Sequence, residues 1–120
     1  MSQVWLYLDE DYTRKGLVFA LRARGVDLLT ALEADMINRN DTDHLATAAV
    51  SGKAFFSYNK GAYCALHQQW IGLERTHAGI IVTSQRQSSV GEELRRLMRL
   101  VSSLTADEMR NRLEFLSRWA

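Results

Sequence analysis

The sequence predicts an α/β domain in which a short, mainly parallel sheet of four to five strands lies between helical layers, a three-layer α/β/α arrangement closed by C-terminal helices. Three observations predict it. Brief runs of apolar and aromatic residues alternate along the chain with longer stretches whose apolar residues recur at helical spacing. Several of the brief runs are apolar at almost every position, as strands buried on both faces require. Glycines and capping residues fall between these segments, where turns between strands and helices must lie.

The elements follow in order. Val4 to Leu8 (VWLYL) reads as a buried strand stopped by Asp9-Glu10-Asp11. Thr13 to Arg24 is a helix, with Leu17 and Leu21 on its apolar side and Gly25 as its C-terminal stop. Val26 to Thr30 is a second strand. Asp41 to Val50 is a helix capped by Asn40 or Asp41 and ended by Gly52. Ala54 to Ser57 (AFFS) is a third strand, Gly61 to Ile71 a third helix, and Gly79 to Thr83 (GIIVT) a fourth strand. This alternation implies right-handed crossovers and a parallel sheet covered on both faces.

The last third reads as helical. Ser89-x-x-Glu92 is a capping box before a stripe of Val90, Leu94, Leu97, Met98, Val101 and Leu104, with Arg95, Arg96 and Arg99 off the stripe. Thr105-x-x-Glu108 opens a further helix that would bury Met109, Leu113, Leu116 and Trp119. Two such closing helices offer a surface for a homodimer.

Composition bounds the functional classes. The 120 residues, 47% apolar and 24% charged, fit a single domain over 1–120. No apolar run approaches the ~20 residues needed to span a bilayer, so no membrane association is expected. A lone Cys64 forms no internal disulfide, the start lacks a signal-peptide pattern, and the expected location is cytoplasmic. The net charge is +1, but it is uneven: the first 43 residues carry eight acids against five bases, and the remainder is basic. A local acidic site on a mildly basic body fits metal-assisted work on a polyanion, although uneven charge is common in proteins without such work.

Ligands of open parallel sheets bind at the carboxyl ends of the strands, near a reversal of strand order. Asp9, Glu10 and Asp11 end the first strand, Asn59 follows the third, and Asp41 and Asp43 begin the second helix. Carboxylates that converge on one crevice repel unless protons or a cation compensate, and all-oxygen ligation selects Mg²⁺ or Mn²⁺. His67, three residues from Trp70, is placed to line the crevice, while Tyr58 and Tyr63 are placed to stack bases. Arg86, Arg95, Arg96 and Arg99 fit a rim for phosphates and fit a solvated helix face equally well. No phosphate loop, dinucleotide fingerprint or zinc spacing is present. A phosphoacceptor receiver would need an Asp ending the third strand, which Ser57-Tyr58-Asn59 does not supply.

The segments LYLDED at 6–11, LRARGVD at 21–27, SYNKGAYCALH at 57–67, HAGIIV at 77–82, SVGEELRRLMRL at 89–100 and ADEMRNRLEFL at 106–116 resemble the uncharacterised bacterial PIN-like family. The resemblance runs in order over essentially the whole chain. It implies an α/β/α nuclease fold, an acidic cluster holding Mg²⁺ or Mn²⁺, phosphodiester hydrolysis of RNA, and a toxin paired with an antitoxin protein. By position it assigns Asp9 as principal metal ligand and Asp43 as a second, and the adjacent Glu10 is expected either to help at the metal or to lie at the surface. It matches Asp41 to an acid that begins the helix, and Asn59 to a polar residue that orients water or phosphate. Where relatives carry Asp-Phe, this chain has Ala62-Tyr63. That departure sets the alternative expectation: a degenerate module that binds RNA or a protein partner without cleavage.

Overall fold

The computed structural model describes residues 3–9, 15–36, 39–84 and 89–120. Five strands, β1 (Trp5–Leu8), β2 (Leu28–Thr30), β3 (Lys53–Ser57), β4 (Ile80–Val82) and β5 (Leu113–Phe115), pair in the order β2-β1-β3-β4-β5. Every pairing is parallel. The helices are α1 (Lys15–Ala23), α2 (Asp41–Val50), α3 (Lys60–Gly72), α4 (Val90–Ser103) and α5 (Ala106–Met109), and a 3-10 turn (Leu116–Trp119) closes the chain.

Side chains of a strand alternate between its faces, so each central strand feeds two cores. Leu6, Leu8, Ala54, Phe56 and Ile81 face Leu17 and Leu21 of α1 and Leu97 and Leu100 of α4. Tyr7, Phe55, Ile80 and Val82 face Leu45 and Ala48 of α2 and Tyr63 and Trp70 of α3. Both sheet faces are thereby covered, which is why these strands read as continuous apolar runs. Helix α4 returns to the α1 face and does not stay with α2 and α3. Its connection therefore runs in the opposite sense to the three before it, a departure from uniform right-handed crossovers. The nine residues of α1 leave much of that sheet face open, and the 14-residue stripe of α4 fills it.

Local chemistry sets the helix starts. The Asn40 side chain accepts the Asp43 N–H at 2.8 Å and begins α2. Asn59 does the same for the Ala62 N–H at the start of α3, and Ser89 and Glu92 form a reciprocal capping box on α4.

The expected second closing helix is a correction. Thr105 and Glu108 do form a capping box, but α5 lasts four residues. Asn111 then takes a left-handed φ of 61° and bonds His77 twice, its N–H to the His77 carbonyl and its Oδ1 to the His77 N–H, both at 3.0 Å. This pair of hydrogen bonds aligns the chain with β4, and Leu113–Phe115 becomes the fifth strand. The two-helix surface expected for a homodimer is thus one long helix, one helical turn and an edge strand.

Candidate functional site at the carboxyl edge of the sheet

In the strand order found here the reversal falls between β1 and β3, and the ends of those two strands are where a ligand site is expected. Asp9 leaves β1 at that point, its N–H bonded to the Phe56 carbonyl at 3.1 Å, and it is only 8% exposed. Ser57, fully buried at the end of β3, donates its hydroxyl to Asp9 Oδ2 at 3.2 Å and accepts the Asn59 N–H at 2.9 Å. One hydroxyl therefore joins the first carboxylate to the turn that starts α3.

A second carboxylate approaches from α2. The Tyr63 hydroxyl donates to Asp41 Oδ1 at 3.2 Å, while its ring lies 4.4 Å from that of Phe55. Burial foremost, and then the negative charges of Asp41 and Asp9, push the Tyr63 phenol far above its ordinary range. Tyr63 is thus hydrogen-bonded to Asp41 and within electrostatic reach of Asp9. Beneath it, the Tyr7 hydroxyl and His44 Nδ1 share a hydrogen bond of 3.1 Å inside the α2–α3 core. Asp43 is half-buried in the first turn of α2, and its carboxylate makes no hydrogen bond or ion pair among the described residues.

The other expected site residues scatter. Glu10 and Arg86 lie outside the described residues. Asn59 stays at the edge, where its Oδ1 serves as the cap of α3. Tyr58 turns into the α1–α4 core and donates to Glu93 at 2.8 Å, and Tyr63 is wholly buried. Neither ring is open to a base, so the stacking role expected of them does not fit. His67 is away from the crevice: its Nδ1 meets His77 Nε2 at 2.9 Å, just before β4 begins and thus toward the amino ends of the strands. Arg95 is exposed on α4, Arg96 pairs with Glu92 at 3.7 Å, and Arg99 reaches the Ala120 carbonyl.

Sequence reasoning passed over Ser57, Tyr7, His44 and Glu93. Ser57 and Glu93 left a usable signal, each a polar residue at a position where the pattern calls for burial. Ser57 ends an apolar strand, and Glu93 shares the inner side of α4 with Leu97 and Leu100. Tyr7 and His44 left none, because a tyrosine in a strand and a histidine in a helix fit any core.

Among the described residues no three His, Cys, Asp or Glu side chains converge as metal ligands, and no helix is long and apolar enough to cross a membrane. Asp9 and Asp41 offer carboxylate oxygens, a donor chemistry suited to a hard divalent cation. No protein-family model, curated protein or solved structure matches this chain. The fold and site together define an α/β protein with a five-stranded parallel sheet and an acidic carboxyl edge.

Proposed function

We propose that this chain is a metal-dependent ribonuclease of PIN-like type, the toxin of a toxin–antitoxin pair. The observation that carries the reading is the buried Asp9 carboxylate at the β1–β3 reversal, held by Ser57, with Asp41, held by the Tyr63 hydroxyl, as a second carboxylate from α2. Asp9 and Asp41 would offer carboxylate oxygens to Mg²⁺ or Mn²⁺, with water completing the ion's coordination. Such an ion supplies charge neutralisation at a phosphate and a readily ionised water. The chain's own residues do the positioning. Ser57 fixes the Asp9 carboxylate by its hydrogen bond, Tyr63 keeps its proton and orients Asp41, and Asn59, tied to the same Ser57 hydroxyl through its backbone N–H, would orient water or phosphate.

The test is incubation with single-stranded RNA in Mn²⁺, in Mg²⁺ and in EDTA. Cleavage is expected with either metal and not in EDTA, and Asp9→Asn is expected to lose at least ~100-fold of it. Cleavage that survives Asp9→Asn would overturn the assignment.

Ala62 favours a second reading, binding of RNA or a protein partner without cleavage. This residue packs against the α2–α3 core in the first turn of α3, where the resemblance calls for a carboxylate. Ala62→Asp separates the readings: a gain in cleavage in a folded variant indicates a weakened nuclease site, and RNA retention without any gain indicates the binding module.

A further inference from the structure

The carboxyl edge changes character from one side to the other. Its β1–β3 side is acidic, but on its β5 side the Phe115 ring is flanked by two cations. Lys60 Nζ lies 5.6 Å from the ring centroid and the Arg118 guanidinium carbon 5.5 Å. Three elements build this cluster. The β4–β5 register sets Phe115 opposite Val82, at the end of the sheet. The Asn59 cap starts α3 with Lys60 at its first position, and the closing 3-10 turn brings Arg118 back three residues after Phe115.

Neither cation has an ion-pair partner among the described residues. The neighbouring acid, Glu114, is held by Arg112 at 3.5 Å and by the Trp119 indole N–H at 3.0 Å. The ring's negative face attracts each cation, but it does not neutralise the pair. An anion would.

We propose that Lys60, Phe115 and Arg118 form a subsite for single-stranded RNA, the two cations taking phosphates and the half-buried ring taking a base. Two cations held at one aromatic ring match the alternation of phosphate and base, which an acidic peptide lacks. With parallel strands ~4.8 Å apart, Phe115 stands three strands from β1, about 14 Å from the carboxylates of the acidic side. An RNA strand held on β5 would extend across β4 and β3 toward Asp9. The inference rests on reading this edge as a nucleic-acid site.

Binding of a fluorescent oligouridylate in EDTA, followed by anisotropy across a salt series, tests it without any cleavage. Lys60→Ala with Arg118→Ala is expected to weaken binding on the order of tenfold, and to reduce the slope of log affinity against log salt by about 1.4. Phe115→Leu, which keeps an apolar contact in the sheet, is expected to weaken binding by a similar factor with the slope unchanged. Thermal melts confirm that the variants are folded. Unchanged affinity and slope in the double variant would overturn the subsite, as would displacement of the RNA by polyglutamate of matched charge at equal concentration. Binding that needs Lys60, Phe115 and Arg118, in a protein that cleaves nothing in Mn²⁺, would uphold the subsite and remove the nuclease reading alone.

Discussion

His77 is kept neutral by where it sits. Its Nδ1 accepts the Gly79 N–H at 3.0 Å, so the proton of the neutral ring is on Nε2, which donates to His67 Nδ1. Burial first, and the neighbouring His67 second, lower its pKa from 6.5 to about 4, and burial lowers His67 in the same sense. Between those values the unfolded chain binds the proton and the folded chain does not. Stability is therefore full above pH 6.5, falls as pH drops through that window, and levels off near pH 4. The loss expected from His77 is on the order of 3 kcal/mol. Urea midpoints measured across the window check this, and His77→Gln should flatten the profile; an equally steep profile in that variant would refute the assignment. Glu93 is the opposite case, a carboxylate buried completely in α4 with the Tyr58 O–H as one of its donors. Tyr58→Phe removes that donor and should cost about 1–3 kcal/mol, read as a lower urea midpoint. The residues at the acidic edge were legible to different degrees for a physical reason. Asp9 interrupts a buried run and Asp41 follows a capping Asn, so both stand out in one dimension. The Tyr63 hydroxyl and the Ser57 bridge exist only because β1, β3, α2 and α3 meet.

Elements with both a periodic apolar pattern and a chemical start signal were legible nearly to the residue. Helix α2 runs over the expected Asp41–Val50, and α4 begins at the expected Ser89 box. β5 was not, because Met109, Leu113 and Leu116 satisfy helical spacing and a three-residue strand has too few positions to show a period of two. The long-range bonds between Asn111 and His77 decide that segment, and no local pattern encodes them. The same region makes Gly79 irreplaceable. Its φ is +123°, and a Cβ there would lie 2.5 Å from Met109 Cγ and 2.9 Å from the Met109 carbonyl oxygen. The backbone oxygen cannot move aside without displacing α5 from the sheet. Gly79→Ala should therefore cost about 2–4 kcal/mol, from overpacking and from a backbone angle that alanine avoids. A thermal melt within a degree or two of the parent would show that α5 yields easily. Helix α5 itself depends on its cap, since four residues form too few internal bonds to persist alone. Thr105→Ala should cost about 1 kcal/mol by the same measurement.

At the scale of the whole molecule, the two cores lie on opposite sides of the sheet, and the closing segment reaches both. Leu113 and Phe115 pack against the α2–α3 core, while Leu116 is buried with α1 and α4 and Trp119 packs beside it. The segment also pairs with β4, whose Ile80 N–H bonds the Arg112 carbonyl at 2.9 Å. Without residues 113–120, Ile80 and Val82 would lie on an open edge, and α4 would lose a neighbour against which much of its inner side packs. Apolar burial stabilises by about 25 cal/mol per Å², and a domain of this size holds only about 5–15 kcal/mol in reserve. Losing Leu113, Phe115, Leu116 and Trp119 together, each worth roughly 1–3 kcal/mol when buried, removes most of that reserve. The chain cut after Arg112 is thus expected to lose its cooperative melt and its near-ultraviolet dichroism while keeping helical far-ultraviolet signal. A sharp melt close to that of the full chain would mean that the sheet is complete at four strands, and that β5 serves the carboxyl edge alone.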